Sequence, residues 1–208
     1  MDALPLDPHA VTTPAALAAL YAEPSHLVRN KATDRLDPAT AAFIAASPFF
    51  VLTTTGPGGP HGSPRGDVAG FVRVADERTL LVPDRRGNNR LDALRDVLHD
   101  PRVALLFLVP GMAETLRVHG LARITADPAL RERLAHGGAV PATVLVVAVR
   151  EVFLQCGRAL LRSKLWGERR RADGVPTAGE LLSAHTRGAV APAHYDEEVG
   201  PRVARTLY

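Results

Sequence analysis

The sequence predicts a mainly β protein of the α+β class, with an antiparallel barrel or sandwich and peripheral helices. About six segments between residues 49 and 155 are rich in β-branched and aromatic residues or alternate between apolar and polar ones, and most are joined by short turns. The segments on either side are instead rich in alanine or carry apolar residues at helical spacing. Strands that follow one another without long crossover helices favour antiparallel pairing over a doubly wound parallel sheet.

The predicted strands differ in how they are expected to be buried. In ETLRVHGLARITA, alternation places Leu116 and Val118 on one face and Arg117 and His119 on the other. RVALLFLV is apolar throughout, which predicts a strand buried on both faces. GPGGPHGSP, after the first strand, predicts a turn region. The predicted strands are residues 49–55, 67–75, 79–82, 102–109, 114–126 and 143–155.

Helices are predicted before, among and after the strands. Thr13-Pro14 and Asp37-Pro38 each provide a side-chain N-cap followed by proline at the first helical position. Asp127-Pro128 gives the same signal for a short helix. The chain, residues 1–208, is expected to form a single domain, because this length suits one core with appended helices. The helical parts are an N-terminal extension at 1–47, a short helix at about 89–99, and C-terminal helices and loops at 156–208.

Composition argues against several classes of function. The formal net charge is only +3 and the basic residues are interspersed with acidic ones, so no nucleic-acid partner is expected. Cys156 is the one cysteine, which excludes an internal disulfide, and the histidines lack metal-ligand spacing. The apolar runs are shorter than the roughly 18 residues of a membrane span. The N-terminus also lacks the pattern of a signal peptide, so we expect a cytoplasmic protein without a metal or a membrane partner.

The segment PDRRGNNRLDALRDVL, residues 83–98, combines cations, amide donors and a glycine between a predicted strand and a predicted helix. N–H groups at a helix start lack acceptors within the helix, and the macrodipole is positive there, so an anion is stabilised. Gly87 permits a tight turn, while Asn88 and Asn89 are expected to cap the helix and to donate amide hydrogens. The arginines, whose forked donors suit phosphate, are Arg85, Arg86 and Arg90. The alternative is a capped helix with solvated arginines.

A second basic turn, GSPRGD, favours the anion site. Arg65 lies between Pro64, which restricts the backbone, and Gly66, which frees it. In an antiparallel meander the strand that follows this turn, at 67–75, would lie beside the strand at 79–82. Arg65 would then approach the turn at 88–90, and the two turns together would bind one phosphate.

Four motifs in order carry a family resemblance: SPRGD at 63–67, PDRRGNNRLDALRDVL at 83–98, LLFLVPGMAETLRVHGLA at 105–122 and CGRALLRSKLW at 156–166. Over about residues 45–166, with a weaker match in the terminal LY, the sequence resembles the pyridoxamine 5'-phosphate oxidase-like family of flavin mononucleotide (FMN) proteins, and within it an uncharacterised bacterial branch. The resemblance implies an antiparallel split β-barrel of the FMN-binding type.

The resemblance also implies the site. Arg65 and the turn before the short helix would hold the FMN phosphate. Arg117 matches an arginine that often lies near the flavin, frequently across a dimer interface, so a homodimer with flavin between protomers is implied. The implied phosphate group is Arg65, Asn88, Asn89 and Arg90, and the residues implied to border the isoalloxazine ring or ribityl chain are Pro83, Asp84 and Arg85.

The expected function is that of an FMN-dependent oxidoreductase acting on an unidentified small molecule. Arg65 or Arg117 would stabilise the negative charge that develops near N1 of a reduced flavin. The alternatives are an FMN-binding module without turnover, serving as sensor, store or scavenger, and a barrel that holds deazaflavin or haem.

Some positions depart from the family pattern or leave roles open. Gln155 stands where the branch has a histidine, and no arginine–lysine pair of the vitamin B6 oxidase type is evident, so that activity is not expected. No catalytic residue is assigned, although His119 is the first candidate for a general acid. Trp166 is expected to pack the late helix onto the barrel or onto the dimer partner, with flavin stacking as the alternative. Cys156 is expected to be a packed hydrophobe.

Overall fold

The computed structural model describes residues 7–167 and 173–208. The chain divides into two compact units, residues 1–32 and residues 33–208, and the prediction of a single domain stays a prediction. The described part of the first unit contains two short helices, α1 (Pro14–Ala18) and α2 (His26–Arg29). Thr13 caps the first of them, as predicted, by accepting a hydrogen bond from the N–H group of Ala16. Within the described residues, no helix has the length and apolar character needed to cross a membrane.

The second unit is built around one seven-stranded sheet, in which every strand pair is antiparallel. The strands are β1 (Phe49–Gly56), β2 (Gly59–Gly66), β3 (Arg73–Asp76), β4 (Thr79–Pro83), β5 (Arg102–Leu108), β6 (Thr115–Thr125) and β7 (Val144–Gln155). Their order in the sheet is β2-β1-β5-β6-β7-β4-β3. The sheet is open in the described part of the chain, as in a split barrel, and the predicted α+β fold class is confirmed.

The helices of this unit lie before, between and after the strands. They are α3 (Pro38–Ala46), α4 (Asp92–His99), α5 (Pro128–Arg133), α6 (Arg158–Ser163), α7 (Ala178–His185) and α8 (Pro192–Arg205). The aspartate N-caps are confirmed, since Asp37 accepts from the N–H group of Thr40 and Asp127 from that of Leu130. Residues 168–172, within the predicted C-terminal helices and loops, lie outside the described residues.

The core lies on one face of the sheet, where alternate residues of β1, β5 and β6 point inward. Phe50 packs against Phe107, with ring centroids 5.0 Å apart, and against Phe71 at 5.8 Å. The prediction that residues 102–109 are buried on both faces is wrong. Phe107 is fully buried, whereas Leu106 and Leu108 on the other face are only half-buried, because the core covers one side of β5.

The glycine- and proline-rich stretch after β1 is a strand rather than the predicted turn region. Only Pro57 and Gly58 form the turn, and β2 then pairs with β1 along its whole length. Pro60 and Pro64 are tolerated because β2 lies at the end of the sheet, where one side of the strand needs no ladder hydrogen bonds. Residue types that usually interrupt a sheet are therefore compatible with this edge position.

The segment predicted as a strand at 67–75 is mostly irregular, and β3 begins only at Arg73. Phe71 and Val72 are buried in the core, which explains the apolar pattern without strand pairing. The expectation that the strand after Arg65 lies beside the strand at 79–82 is confirmed, since β3 pairs with β4. Arg65 itself lies in β2, which is not a neighbour of β4. Strands β1, β5, β6 and β7 separate β2 from β4 in the sheet, because the chain returns to β1 after α4 instead of continuing a simple meander.

Gly120 marks a close approach of β6 to β7, where the register shifts between His119 and Gly120. A Cβ atom at this position would lie 2.5 Å from the carbonyl oxygen of Ala148 and 2.8 Å from Val147 Cγ1. We expect Gly120→Ala to lower the free energy of unfolding by about 1–3 kcal/mol, as overpacking does in well-packed interiors. Urea denaturation measures this loss.

Gly62→Ala is the matched control, because the Cβ atom added there would meet only Val51 Cγ1 at 3.9 Å. An equal loss of stability in both variants would show that the close approach at Gly120 has no energetic consequence.

Candidate functional site

A cavity of about 690 Å³ lies where the end of β2, the loop after β4 and the start of α4 come together. This volume is within the range of small-molecule sites. Its wall consists of residues 63–65, 84–94 and 139–142 together with Tyr208. The two basic turns singled out in the sequence therefore face one cavity.

Arg65 connects the two ends of the sheet across this cavity. Its Nη1 donates a hydrogen bond to Asp84 Oδ1 at 2.9 Å, although β2 and β4 are not neighbours in the sheet. The N–H group of Asp84 in turn donates to the carbonyl oxygen of Thr143. Both side chains of the ion pair are largely buried. Arg65 and the turn at 88–90 line the same cavity, as expected, although their strands are not neighbours in the sheet.

Arg85 is held by a buried carboxylate. Its Nε donates to Asp67 Oδ2 at 2.5 Å and its Nη1 donates to the carbonyl oxygen of Leu134 at 3.0 Å. Asp67 also accepts hydrogen bonds from the Tyr208 hydroxyl at 2.6 Å and the N–H group of Val68 at 2.7 Å. Burial raises the pKa of Asp67, but the hydrogen bonds from Tyr208, Val68 and Arg85 outweigh it, and the pKa lies below its ordinary value. Asp67 is therefore ionised and Arg85 is fixed in place.

Helix α4 starts later than predicted and is not capped by an asparagine. Its first residue is Asp92 and its N-cap is Leu91, whose apolar side chain has no hydrogen-bonding group. Asn88 instead accepts a hydrogen bond from the N–H group of Arg90 at 3.0 Å and closes a turn before the helix. Asn89 and Leu91 both have left-handed backbone conformations, with φ of 59° and 60°, which asparagine tolerates and leucine rarely adopts. The N–H groups of the first helical turn thus lack both an intrahelical acceptor and a side-chain cap.

The cavity wall carries an excess of positive charge. Four arginines and two aspartates are among the residues that form it. Arg90 lies largely in solvent, and its Nε donates to Asp92 Oδ2 at 2.8 Å. With the positive end of the α4 dipole added, the wall suits a group of about two negative charges, such as a phosphate monoester. The charged residues are Arg65, Arg85, Arg86, Arg90, Asp84 and Asp92.

Six of the sequence-predicted residues line this cavity, namely Arg65, Asp84, Arg85, Asn88, Asn89 and Arg90. The other two predicted residues, Pro83 and Arg117, are not among the described residues that line the cavity. Pro83 is the buried last residue of β4 and pairs with Val144. Arg117 lies on the opposite face of the sheet from the core, with its guanidinium carbon 4.9 Å from the ring centroid of Phe153. His119 shares that face, and its Nδ1 lies 3.1 Å from Glu151 Oε1.

Trp166 and Cys156, for which the sequence suggested more than one role, are not among the described residues that line the cavity. Trp166 donates from Nε1 to the carbonyl oxygen of Met112 at 2.5 Å, which links the segment after α6 to the turn between β5 and β6, but its side chain is 41% exposed and its predicted packing role stays a prediction. Cys156 is exposed, which corrects the expectation of a packed hydrophobe, since it lies just after β7 ends.

The sequence reasoning missed Ser63, the loop at 139–142 and Tyr208. Tyr208 lies 141 residues beyond Asp67, and no local pattern indicates that the two side chains meet. The loop at 139–142 reads as an ordinary connection between α5 and β7. Long-range contacts of this kind become visible only when the fold is known.

A second polar cluster fixes α4 to the hairpin of β1 and β2. Asp96 is buried, and its Oδ2 accepts from the Thr54 hydroxyl at 2.7 Å and lies 2.6 Å from His61 Nδ1. The lack of a side chain at Gly56 makes room for this carboxylate, since a Cβ atom there would collide with Asp96 Oδ1. Because β2 and α4 both contribute residues to the cavity wall, this cluster holds the two elements together.

The sequence of this chain matches a known protein family. The model described as pyridoxamine 5'-phosphate oxidase matches residues 36–156. No curated protein matches the chain.

Solved structures give distant likenesses. HupZ from Group A Streptococcus is 15% identical, with 57% of this chain and 92% of that chain covered and a TM-score of 0.47. A candidate pyridoxamine 5'-phosphate oxidase from Lactobacillus delbrueckii is 20% identical, with 58% and 95% covered and a TM-score of 0.45. General stress protein 26 from Bacillus anthracis is 19% identical, with 54% and 88% covered and a TM-score of 0.41.

The Asp96 cluster predicts a specific pH dependence of stability. Hydrogen bonds from Thr54 and His61 lower the pKa of Asp96 below its ordinary value of 3.8. A lowered carboxyl pKa adds stability that is complete above the unfolded-state value and is lost as the pH falls through the folded-state value. The difference in free energy of unfolding between the wild type and Asp96→Asn should therefore be largest near neutral pH and shrink as the pH falls below the ordinary value of 3.8.

Denaturant titrations across this pH range measure the difference. Asp173→Asn, at an exposed position, is the control and should show little difference at any pH. A constant difference for Asp96→Asn would mean that the ionised carboxylate is not what stabilises the cluster.

Proposed function

Because the chain belongs to the pyridoxamine 5'-phosphate oxidase family, whose members commonly bind flavin, we propose that it is an FMN-dependent oxidoreductase acting on a small molecule. The observation that carries this proposal is the cavity in which Arg65, the 84–90 loop and the uncapped start of α4 converge. We also propose a cytoplasmic location, since a chain with one cysteine has no internal disulfide that would need an oxidising compartment.

The phosphate of FMN fits the part of the cavity wall formed by Arg65, Arg90 and the start of α4. The N–H groups of the first turn of α4 supply donors at the positive end of a helix dipole. Among the described residues, Arg65 is held by Asp84 through one nitrogen, Nη1, and its other donors would make charge-assisted hydrogen bonds to the phosphate. Asn88, Asn89 and Arg90 border the same region. In this proposal, Arg65 and the start of α4 hold the phosphate together.

The remainder of the cofactor would lie along less charged wall. Residues 139–142, with the sequence AVPA, form an apolar side of the cavity, and Asp84 and Arg85 are fixed by their own partners. When bound, FMN supplies the redox chemistry by taking electrons from one reactant and passing them to another. The chain's own residues bind and orient it and exclude water from its apolar side.

A homodimer is part of the proposal. On the face of the sheet opposite the core, Val51, Leu106, Arg117 and Phe153 form a row across β1, β5, β6 and β7 through their register pairs. These side chains are only partly buried, and Phe49 next to them is exposed. An apolar row with a central arginine has the composition of an interface core. A second copy of this chain packed there would cover the row and bring Arg117 to the interface.

Absorption spectroscopy and turnover assays test the function. FMN titrated into the purified protein should bind and keep the spectrum of an oxidised flavin. Preferential binding of deazaflavin or haem would contradict FMN as the cofactor. Bleaching by a nicotinamide donor followed by reoxidation by an acceptor would show turnover, whereas tight binding without reduction by any donor would favour a sensor, store or scavenger.

Analytical ultracentrifugation tests the homodimer. We expect twice the chain mass of 22.2 kDa for the wild type and the single-chain mass for Leu106→Arg, because a charge in the apolar row opposes packing of the two copies. A wild type that sediments as a monomer at micromolar concentration would contradict the dimer.

Loss of either phosphate-binding arginine should weaken FMN binding. We expect Arg65→Ala and Arg90→Ala each to raise the Kd for FMN about ten- to a hundredfold, the cost of one charge-assisted hydrogen bond. Arg65→Ala also leaves the Asp84 carboxylate without its arginine, and this carboxylate would then repel the phosphate. The double variant Arg65→Ala/Asp84→Ala removes that repulsion and therefore measures the lost attraction between Arg65 and the phosphate alone. Fluorescence titration measures all four Kd values, including that of the wild type.

Arg95→Ala is the matched control, because Arg95 is exposed on the same helix and lies outside the cavity wall of the described residues. If Arg65→Ala and Arg90→Ala both bind FMN as the wild type does, the site assignment is wrong.

A further inference from the structure

The segment that follows α8 returns to the cavity and completes its wall with Tyr208. The Tyr208 hydroxyl donates to Asp67 Oδ1 at 2.6 Å, and its ring centroid lies 5.1 Å from that of His136. Among the described residues that form the wall, Tyr208 is the one aromatic side chain. It is also 43% exposed, so part of its ring is accessible to a ligand.

The residues that line the cavity are of two chemical kinds. Arginines, asparagines and the uncapped start of α4 supply charged and N–H donors, whereas the loop at 139–142 and the Tyr208 ring supply apolar surface. A ligand with an anionic tail and a flat aromatic ring matches this distribution, since aromatic rings prefer offset stacking or edge contacts with one another. We propose that Tyr208 is a ligand-contact residue whose ring packs against the isoalloxazine ring of FMN. This inference rests on the proposed function.

The hydrogen bond to Asp67 determines the position of the Tyr208 ring. Asp67 is shared between Tyr208 and Arg85, so the carboxylate that fixes the cationic side also fixes the aromatic side. The hydrogen bond to Asp67 raises the pKa of the Tyr208 phenol above its ordinary value of 10.0, so the hydroxyl remains a donor at neutral pH. Without this bond the ring would lose its fixed hydroxyl position and would be held less firmly, although it would keep its contact with His136.

Three probes distinguish the contacts to the flavin ring from the contacts to the phosphate. They are FMN, riboflavin, which has the ring without the phosphate, and inorganic phosphate, which has no ring. Tyr208→Ala should raise the Kd for FMN and for riboflavin by the same factor, about two- to tenfold, and leave the Kd for phosphate unchanged. Tyr208→Phe keeps the ring and should bind riboflavin more tightly than Tyr208→Ala does. Arg65→Ala should show the reverse pattern, with weaker binding of FMN and phosphate and unchanged binding of riboflavin.

Tyr195→Ala is the matched control, because Tyr195 lies in α8, packs against Arg202 and is outside the described cavity wall. Bound FMN should also fluoresce more strongly in Tyr208→Ala, since a stacked tyrosine quenches flavin fluorescence, and a thermal melt of each variant confirms folding. Unchanged riboflavin affinity in a folded Tyr208→Ala variant would overturn this inference and leave the proposed function standing. A wild type that binds neither FMN nor riboflavin would overturn both.

Discussion

The Asp67 carboxylate is the interaction on which the cavity depends. It lies just after β2, is almost completely buried, and accepts hydrogen bonds from Arg85 in the loop after β4 and from Tyr208 near the end of the chain. Leaving a buried carboxylate without partners costs several kcal/mol, so these contacts are strongly coupled to one another. Three segments that are distant in the sequence are thereby held around one space, and the open sheet acquires a defined site between its two ends.

The same arrangement explains why the cavity suits an anion although it contains acidic residues. Asp67 and Asp84 each pair with an arginine and fix its direction, so these carboxylates orient donors rather than oppose a ligand. The start of α4 adds donors that Leu91 cannot satisfy, and the left-handed conformation of Leu91 is a local strain of the kind often found at functional sites. Preorganised donors of this kind lose little freedom when they bind a phosphate.

Much of the fold follows from local sequence patterns, whereas the site follows only in part. Strand β6 and the aspartate-capped helices agree with prediction because alternation and capping are local signals. Strand β2 was missed because its glycines and prolines are tolerated only at a sheet edge, and edge position depends on the whole topology. The residues at 84–90 were found because one loop carries them, but Tyr208 and the loop at 139–142 reach the cavity through tertiary packing alone.

A crystal structure of the protein with FMN would locate the phosphate relative to the donors of Arg65 and of α4. We expect phosphate oxygens within about 3.2 Å of the first N–H groups of α4 and of the Arg65 guanidinium, with the Asp67 contacts to Arg85 and Tyr208 kept. A phosphate bound on another surface, with the wall formed by residues 63–65 and 84–94 contacting only solvent, would contradict this expectation.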